Sequence, residues 1–269
     1  MEKIHHTVLT RLATIILLLA STLTLASCLN ETPKDQIDED EAYGTASKLL
    51  LNAVGSLYNY IGGNADSQGL QGTYRGVYDY NTFTTDEAMI PTRGGDWYDG
   101  GFWQALYKHQ WTPSDNELYN TWNYLYKVVA KCNQSLEIIE QHRSLLTDSQ
   151  YAEAVAEIRG LRAMYYFYIM DMYGNVPLVT TTKLTVDDVV QSPRSSTFKY
   201  IYKELEEAAP YLPDIHSNLQ NDYYGRFTRP AAYFLLAKLA LNAEVYDDDD
   251  WTDGSRPDGR TIKLDVDGQ

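Results

Sequence analysis

Cysteine and histidine are scarce in this chain, and so are the short motifs that mark common active sites. Its 269 residues include two cysteines and five histidines. His109, His142 and His216, the histidines beyond the first 27 residues, stand far apart, so no closely spaced set of zinc ligands is present. A G-x-S-x-G motif, a P-loop and a dinucleotide fingerprint are also missing. We therefore expect no metal and no cofactor.

Positive charge is also in short supply. The chain carries 22 Lys and Arg against 37 Asp and Glu, a formal net charge of −15. Nucleic-acid binding needs a basic surface against the phosphates, and so does electrostatic binding to anionic lipid. We therefore expect neither nucleic-acid binding nor electrostatic binding to anionic lipid.

An apolar stretch near the start of the chain is too short to span a membrane. Leu12 to Leu25 follows Lys3 and Arg11, and about 14 residues of helix reach roughly 21 Å, less than a bilayer core of about 30 Å. The stretch closes on Leu25-Ala26-Ser27-Cys28, which is typical of a lipoprotein signal peptide cut before Cys28. We expect lipid on the Cys28 thiol and an extracytoplasmic body, the alternative being an amphipathic or spanning helix. Cys132 then has no disulfide partner.

The remaining chain divides by composition. We expect residues 1–27 to be the signal peptide, 28–40 an acidic tether and 41–246 a helical domain. Within that domain, Asp40 to Ile61 has helical spacing, whereas residues 64–113 lose it and predict a long irregular loop. Residues 247–269 are acidic and are expected to begin a truncated C-terminal part.

Beyond residue 113 the apolar residues recur at helical spacing. Ser114 with Glu117, Asp148 or Ser149, Ser195 or Ser196, and Thr228 with Pro230 are the expected helix starts. The first of these helices carries an apolar face: Leu118, Trp122, Leu125, Val129, Cys132, Leu136 and Ile139. A run of long amphipathic helices predicts a mainly all-α fold, a solenoid of tetratricopeptide-like helix pairs. Cys132 is expected to be a core residue.

Several motifs occur together in a specific order. The clearest runs from Glu157 to Phe167 (EIRGLRAMYYF) and continues, after a short gap, as Gly174-Asn175-Val176-Pro177-Leu178. Ser192-Pro193-Arg194 and Gly225-Arg226-Phe227-Thr228 follow at matching positions. In these motifs the sequence resembles the first half of the SusD/RagB family of Bacteroidetes outer-membrane lipoproteins.

The resemblance implies a function. It implies a cell-surface lipoprotein that binds glycans without catalysis and delivers oligosaccharides to a SusC-like TonB-dependent transporter. The acidic stretch from Glu31 to Glu41 also resembles the export signal of such lipoproteins.

One stretch within residues 64–113 combines aromatic rings with polar side chains. Sugar binding needs rings to cover the C–H faces and polar groups to bond the hydroxyls. Glycine pairs flank this stretch and permit tight turns that project rings outward. We predict glycan contacts from Arg93, Asp96, Trp97, Tyr98 and Trp103. The alternative is that the tryptophans are buried and pin the loop to the helices.

Competing interpretations remain open. A glycoside hydrolase needs two carboxylates across one cleft, and Asp86, Glu87, Asp96 and Asp99 are available. A peptide-binding helical scaffold is the other class. Arg159 and Arg162 are expected to pair inside the solenoid, and the Asp247–Asp250 run is expected to be solvated rather than a calcium site.

Overall fold

The computed structural model describes residues 37–62, 69–70 and 75–262. The chain divides into two units, Met1–Glu41 and Ala42–Gln269. Only residues 37–41 of the first are described, so the fold below is that of the second. Cys28, the expected site of lipid attachment, lies outside the described residues. In the described part of the chain, no helix has both the length and the apolar character needed to cross a membrane.

Within the described residues, the regular secondary structure is helical apart from one small antiparallel pair of strands, and irregular segments connect these elements. The α-helices are α1 Glu39–Tyr43, α2 Ala46–Ala53, α3 Asn59–Gly62, α4 Val77–Phe83, α5 Phe102–Tyr107, α6 Asn116–Gln141, α7 Asp148–Tyr173, α8 Arg194–Ala208, α9 Arg229–Leu241 and α10 Ala243–Tyr246. Short 3-10 turns span Gly55–Tyr58, Asp99–Gly101, Arg143–Leu145, Val186–Asp188 and Ala209–Tyr211. The strands are β1 Val176–Pro177 and β2 Gln191–Ser192, with Val176 opposite Ser192.

The long helices α6 to α9 form a consecutive stack in which each packs on the next. This is the expected tetratricopeptide-like arrangement. On α6 the predicted apolar face is buried at Leu125, Val129, Cys132 and Ile139, and half-buried at its other members. Cys132 is fully buried, and burial raises the pKa of its thiol to about 12.

The central helix α7 is buried on most sides because α6 and α8 pack against it. Tyr165 and Tyr166 have no exposed surface. Arg162 and Tyr166, one turn apart, both bind the segment after the helix. Arg162 donates to the carbonyl of Thr180 (3.1 Å), and the Tyr166 hydroxyl bonds both the N–H and the carbonyl of Val179. The motif residues therefore hold the chain that follows them.

Ion pairs join α7 to α8, as the sequence predicted for Arg159 and Arg162. Glu204 accepts hydrogen bonds from Arg159 Nη2 and Arg162 Nη2, both at 2.8 Å. Glu207 pairs with Arg159 as well. These arginines fix the register of two helices instead of facing a ligand.

A second set of motif residues joins α7 to the start of α9. The buried Glu157 carboxylate accepts hydrogen bonds from the Tyr58 hydroxyl and from Arg226. One turn along α7, Gly160 lies against the ring of Phe227, which leaves no room for a side chain. The Arg226-Phe227 motif therefore has an architectural role.

The predicted starts of α6, α7 and α8 were wrong. Helix α6 begins after Asp115, which accepts bonds from Thr112, so Ser114 and Glu117 form no capping box. Helix α7 begins one residue earlier than expected, since Thr147 forms a capping box with Gln150. Helix α9 begins after Thr228 with Pro230 in its first turn, as predicted, but the Thr228 hydroxyl makes no capping hydrogen bond with a described residue.

Helix α8 begins at Arg194, so the predicted caps Ser195 and Ser196 were also wrong. The distant Asp249 carboxylate instead accepts the Ser195 N–H (2.9 Å) and hydroxyl (2.6 Å). Asp248 is buried, so the Asp247–Asp250 run is not a wholly solvated charge cluster. Its chemistry is partly structural, because it caps a helix 54 residues away.

The region before α6 also differs from the prediction. The single helix expected over Asp40 to Ile61 is broken into α1, α2, a 3-10 turn and α3, because Thr45 caps a new helix and Gly55 begins a tighter turn. Conversely, the stretch expected to be irregular contains α4 and α5. These two short helices support the aromatic loop described next.

Candidate functional site

The predicted site is a tight, solvent-facing loop between α4 and α5. Arg93 and Asp96 form a two-residue antiparallel bridge, with N–H to carbonyl bonds of 3.1 and 3.0 Å in the two directions. Gly94, at the turn, has a φ of +63°, which a glycine adopts without steric cost. Every residue from Pro91 to Gly100 is exposed. The loop therefore carries Arg93 and Asp96 close together at its base.

Trp97 and Tyr98 project from this loop into solvent. Their exposed fractions are 56% and 58%, high values for large rings. The Trp97 ring lies 6.2 Å from that of Trp103, tilted by 59°. These are the two exposed rings that the sequence predicted for contact with the flat face of a sugar.

The prediction of a glycan contact from Trp103 is corrected by its burial. Its side chain is 6% exposed, and its indole N–H donates to Asp99 Oδ2 at 2.6 Å. Trp103 lies on α5, where its ring packs edge-on against Phe83 and Phe102, 5.3 and 4.9 Å away. This residue supports the loop and offers no face to a ligand.

Trp103 belongs to a small core of its own. Tyr80, Trp103 and Leu106 are buried together, and partly buried neighbours cover them: Phe83, Ile90, Phe102, Leu118 and Met172. The two short helices α4 and α5 supply most of these side chains. An independent apolar cluster beneath an exposed loop gives the loop a defined position.

Arg75 is a supporting residue that the sequence analysis missed. Its guanidinium lies 3.2 Å from Asp99 Oδ2 and sits over the rings of Phe102 and Trp103, 5.1 and 5.7 Å from their centroids. Arg75 Nη1 also lies 3.8 Å from Glu117 Oε1 on α6. Arg75 thus links the loop to the helical stack. No local pattern marks this role, since Asp99, the nearest of these contacts in sequence, lies 24 residues further along the chain.

The carboxylates near the loop differ in their availability. Asp99 is occupied by Trp103 and Arg75, whereas Asp96 is exposed and bonds its loop partner only through the backbone. Arg93 is likewise exposed at the loop base. The arrangement presents two rings, one guanidinium and one carboxylate to solvent. That combination of apolar faces and polar groups is suited to recognition of a hydroxyl-rich ligand.

The fold and this loop together define a helical-repeat binding module with a braced aromatic surface. The chain belongs to the SusD-like family described as "Starch-binding associating with outer membrane", which matches residues 66–241.

Known relatives are similar along most of this chain. A SusD-like protein of Bacteroides ovatus is 26% identical over 259 residues, covering 93% of this chain and 42% of that protein. The starch-binding protein SusD of Bacteroides thetaiotaomicron is 27% identical over 245 residues, covering 87% and 41%. The chain therefore spans about two-fifths of the length of these relatives.

Solved structures agree with the fold. A SusD-like protein of Bacteroides fragilis superposes with a TM-score of 0.60 at 24% identity, over 81% of this chain and 38% of that one. A laminarin-binding SusD-like protein superposes with a TM-score of 0.55 at 26% identity, over 78% and 41%.

Proposed function

We propose that this chain is part of a cell-surface lipoprotein that binds neutral glycans without cleaving them and passes oligosaccharides to a SusC-like TonB-dependent transporter. The observation that carries the proposal is the loop on which Trp97 and Tyr98 are exposed above the buried Trp103. The Arg93–Asp96 backbone bridge closes the loop that carries these rings, so little backbone freedom would be lost when a sugar stacks on them. Arg93 and Asp96 would bond the hydroxyl groups.

Membership of a family described as starch-binding supports carbohydrate as the ligand class. Relatives named for starch and laminarin binding make glucans the first ligands to try. The net charge of −15 favours a neutral polymer over an acidic one.

The environment of the carboxylates near the loop also supports a binding role over a catalytic one. Hydrolysis needs two carboxyl groups about 5–10 Å apart and free to act on one bond. Asp99 is held by a hydrogen bond and an ion pair, so it is poorly placed to take part. We therefore propose that the protein is not an enzyme. Release of labelled sugar from an oligosaccharide by the pure protein, abolished in Asp96→Ala, would refute this.

The proposed anchor and partner follow from the family. Cys28 would carry the lipid, consistent with a family associated with the outer membrane. The transporter partner is proposed on the resemblance described above. Copurification of a TonB-dependent transporter with the affinity-tagged full-length gene product tests it.

The binding proposal is tested by affinity electrophoresis in gels containing starch, laminarin or other glycans. We expect one class of polysaccharide to retard the chain and Trp97→Ala to be retarded less. Trp251→Ala is the matched control, because Trp251 is also exposed (69%) but lies far along the chain from the loop. Equal retardation of the two variants would contradict the site. Retardation by no glycan, with peptide binding instead, would favour a helical scaffold.

A further inference from the structure

Two cavities lie side by side where α4 faces the C-terminal end of α7. One measures about 180 Å³ and the other about 400 Å³. Asn81 of α4 and Asp171 of α7 line both cavities, so these two side chains lie between them, and we call the two adjacent cavities together the groove. The combined space is in the range of small-ligand sites. No residue of the 91–98 loop lines either cavity.

Aromatic rings stand on both sides of this polar middle. Trp111, 38% exposed, lines the smaller cavity. Tyr78, 53% exposed, lines the larger one together with the half-buried Tyr168. Tyr78 and Asn81 are three residues apart on α4, which makes them neighbours on one face of the helix, and Thr84 follows as its C-cap residue. The groove thus has an aromatic ring in each cavity, Trp111 in one and Tyr78 in the other, and the polar pair Asn81 and Asp171 between them.

The polar groups of the groove have unused capacity. Asn81 Nδ2 donates to the Val77 carbonyl at 2.8 Å, and its Oδ1 accepts no hydrogen bond from the described residues. Asp171 Oδ1 accepts the Tyr246 hydroxyl at 2.7 Å, which leaves Oδ2 available among the same residues. Two free acceptors suit the donor hydroxyls of a sugar.

The charges in and around the groove favour a neutral ligand over an acidic one. Lys238 at the larger cavity lies 4.9 Å from the centre of the Phe167 ring and forms no ion pair with a described residue. Its charge offsets that of Asp171, so the groove itself is close to neutral. The surrounding net charge of −15 disfavours an acidic polymer.

We infer that this groove is a second binding site for a neutral oligosaccharide, separate from the Trp97 loop. The inference rests on the proposed glycan-binding function. The groove would hold sugar rings against Tyr78 and Trp111, with hydroxyls bonded to Asn81 Oδ1 and Asp171 Oδ2. A glycan that occupied both the loop and the groove would bind more tightly than one confined to either.

Calorimetric titration of the full chain with maltoheptaose and laminariheptaose tests the groove. We expect Asn81→Ala and Asp171→Asn each to raise Kd about five- to tenfold, as the loss of one or two hydrogen bonds implies. Asn123→Ala, an exposed asparagine on α6, should leave Kd unchanged. Oligogalacturonate, an acidic probe, should not bind.

The outcomes separate this inference from the function on which it rests. If Trp97→Ala weakens binding while both groove variants titrate like the native chain, the groove is refuted and the loop site stands. If no neutral oligosaccharide binds the native chain, both ideas fail. If oligogalacturonate binds as well as the glucans and depends on Asn81, the assigned ligand class is wrong.

Discussion

Asp99 Oδ2 accepts a hydrogen bond of 2.6 Å from the indole N–H of Trp103, four residues further along the chain. Asp99 has a φ of +43° and Trp97 one of +59°, conformations that residues other than glycine adopt at a cost. The buried indole and the nearby Arg75 hold this backbone in place. The exposed Trp97 therefore depends on the buried Trp103 for its position.

This dependence predicts different effects for the two tryptophans. Trp103→Ala removes a buried ring and should lower the free energy of unfolding by about 3 kcal/mol, with loss of glycan binding. Trp97→Ala should also weaken glycan binding but lower the free energy of unfolding by less than about 1 kcal/mol, because its ring is more than half exposed. Urea denaturation followed by circular dichroism measures both. A Trp103→Ala chain as stable as the native one would show that the indole is not an anchor.

Replacing Gly160 by alanine should destabilise the fold, which is the opposite of the usual effect of this substitution in a helix. Alanine in place of a helix glycine normally stabilises by about 0.5–1 kcal/mol. At residue 160, however, a Cβ would lie 2.3 Å from Phe227 Cε1, so Gly160→Ala should destabilise by about 1–3 kcal/mol. Gly62→Ala is the control, since no atom of the described residues lies within 4 Å of the position its Cβ would take. Thermal denaturation should lower Tm for Gly160→Ala alone, and equal Tm values would contradict the packing.

Glu204 predicts part of the acid sensitivity of the fold. Burial by itself would raise the pKa of Glu204, but hydrogen bonds from Arg159 and the charge of Arg162 outweigh it and lower the pKa below its usual 4.5. The folded state therefore binds the proton less readily than the unfolded chain. The stability that Glu204 contributes is complete above about pH 4.5 and is lost as the pH falls through the folded-state pKa.

Glu204→Gln should thus lower the free energy of unfolding by about 3 kcal/mol at pH 7. The deficit should shrink as the pH falls below about 4.5 and through the lowered folded-state pKa of Glu204. Glu206→Gln, on the exposed side of the same helix, should show neither effect. Urea titrations across this pH range measure the difference, and a deficit that stays constant with pH would mean that the ionised carboxylate is not the stabilising form.

The helical stack was predictable because its signal is periodic and local. The apolar face of α6 and the inward pairing of Arg159 and Arg162 were both anticipated. The exact helix starts were harder to predict, because several neighbouring polar residues could each serve as the N-cap. At α8 the cap comes from Asp249, 54 residues away, and no local pattern reveals it.

The site was predictable as a segment but not residue by residue. Trp97 and Trp103 occur in the same aromatic run, so composition alone does not separate the exposed ring from the buried one. Their difference arises from α4 and α5, which enclose Trp103 in a separate small core. Arg75 was missed for the same reason, because its role depends on tertiary contacts.

Because the chain has two cysteines, the proposed lipid attachment at Cys28 can be tested with Cys132 as the control. In cells of a Bacteroides host, the full-length gene product should incorporate labelled palmitate through Cys28. Cys28→Ala should abolish the label and Cys132→Ala should retain it, because the Cys132 thiol is fully buried. Label that persists in Cys28→Ala would contradict the anchor.

The central claim is that Trp97 contacts the glycan, and fluorine NMR of the 5-fluorotryptophan-labelled chain tests it most directly. Five tryptophans give a small set of signals, which single Trp→Phe variants assign. On titration with a glucan oligosaccharide that binds, the Trp97 signal should shift in step with saturation while the Trp251 signal stays in place. A Trp97 signal that does not move at full saturation would contradict the account.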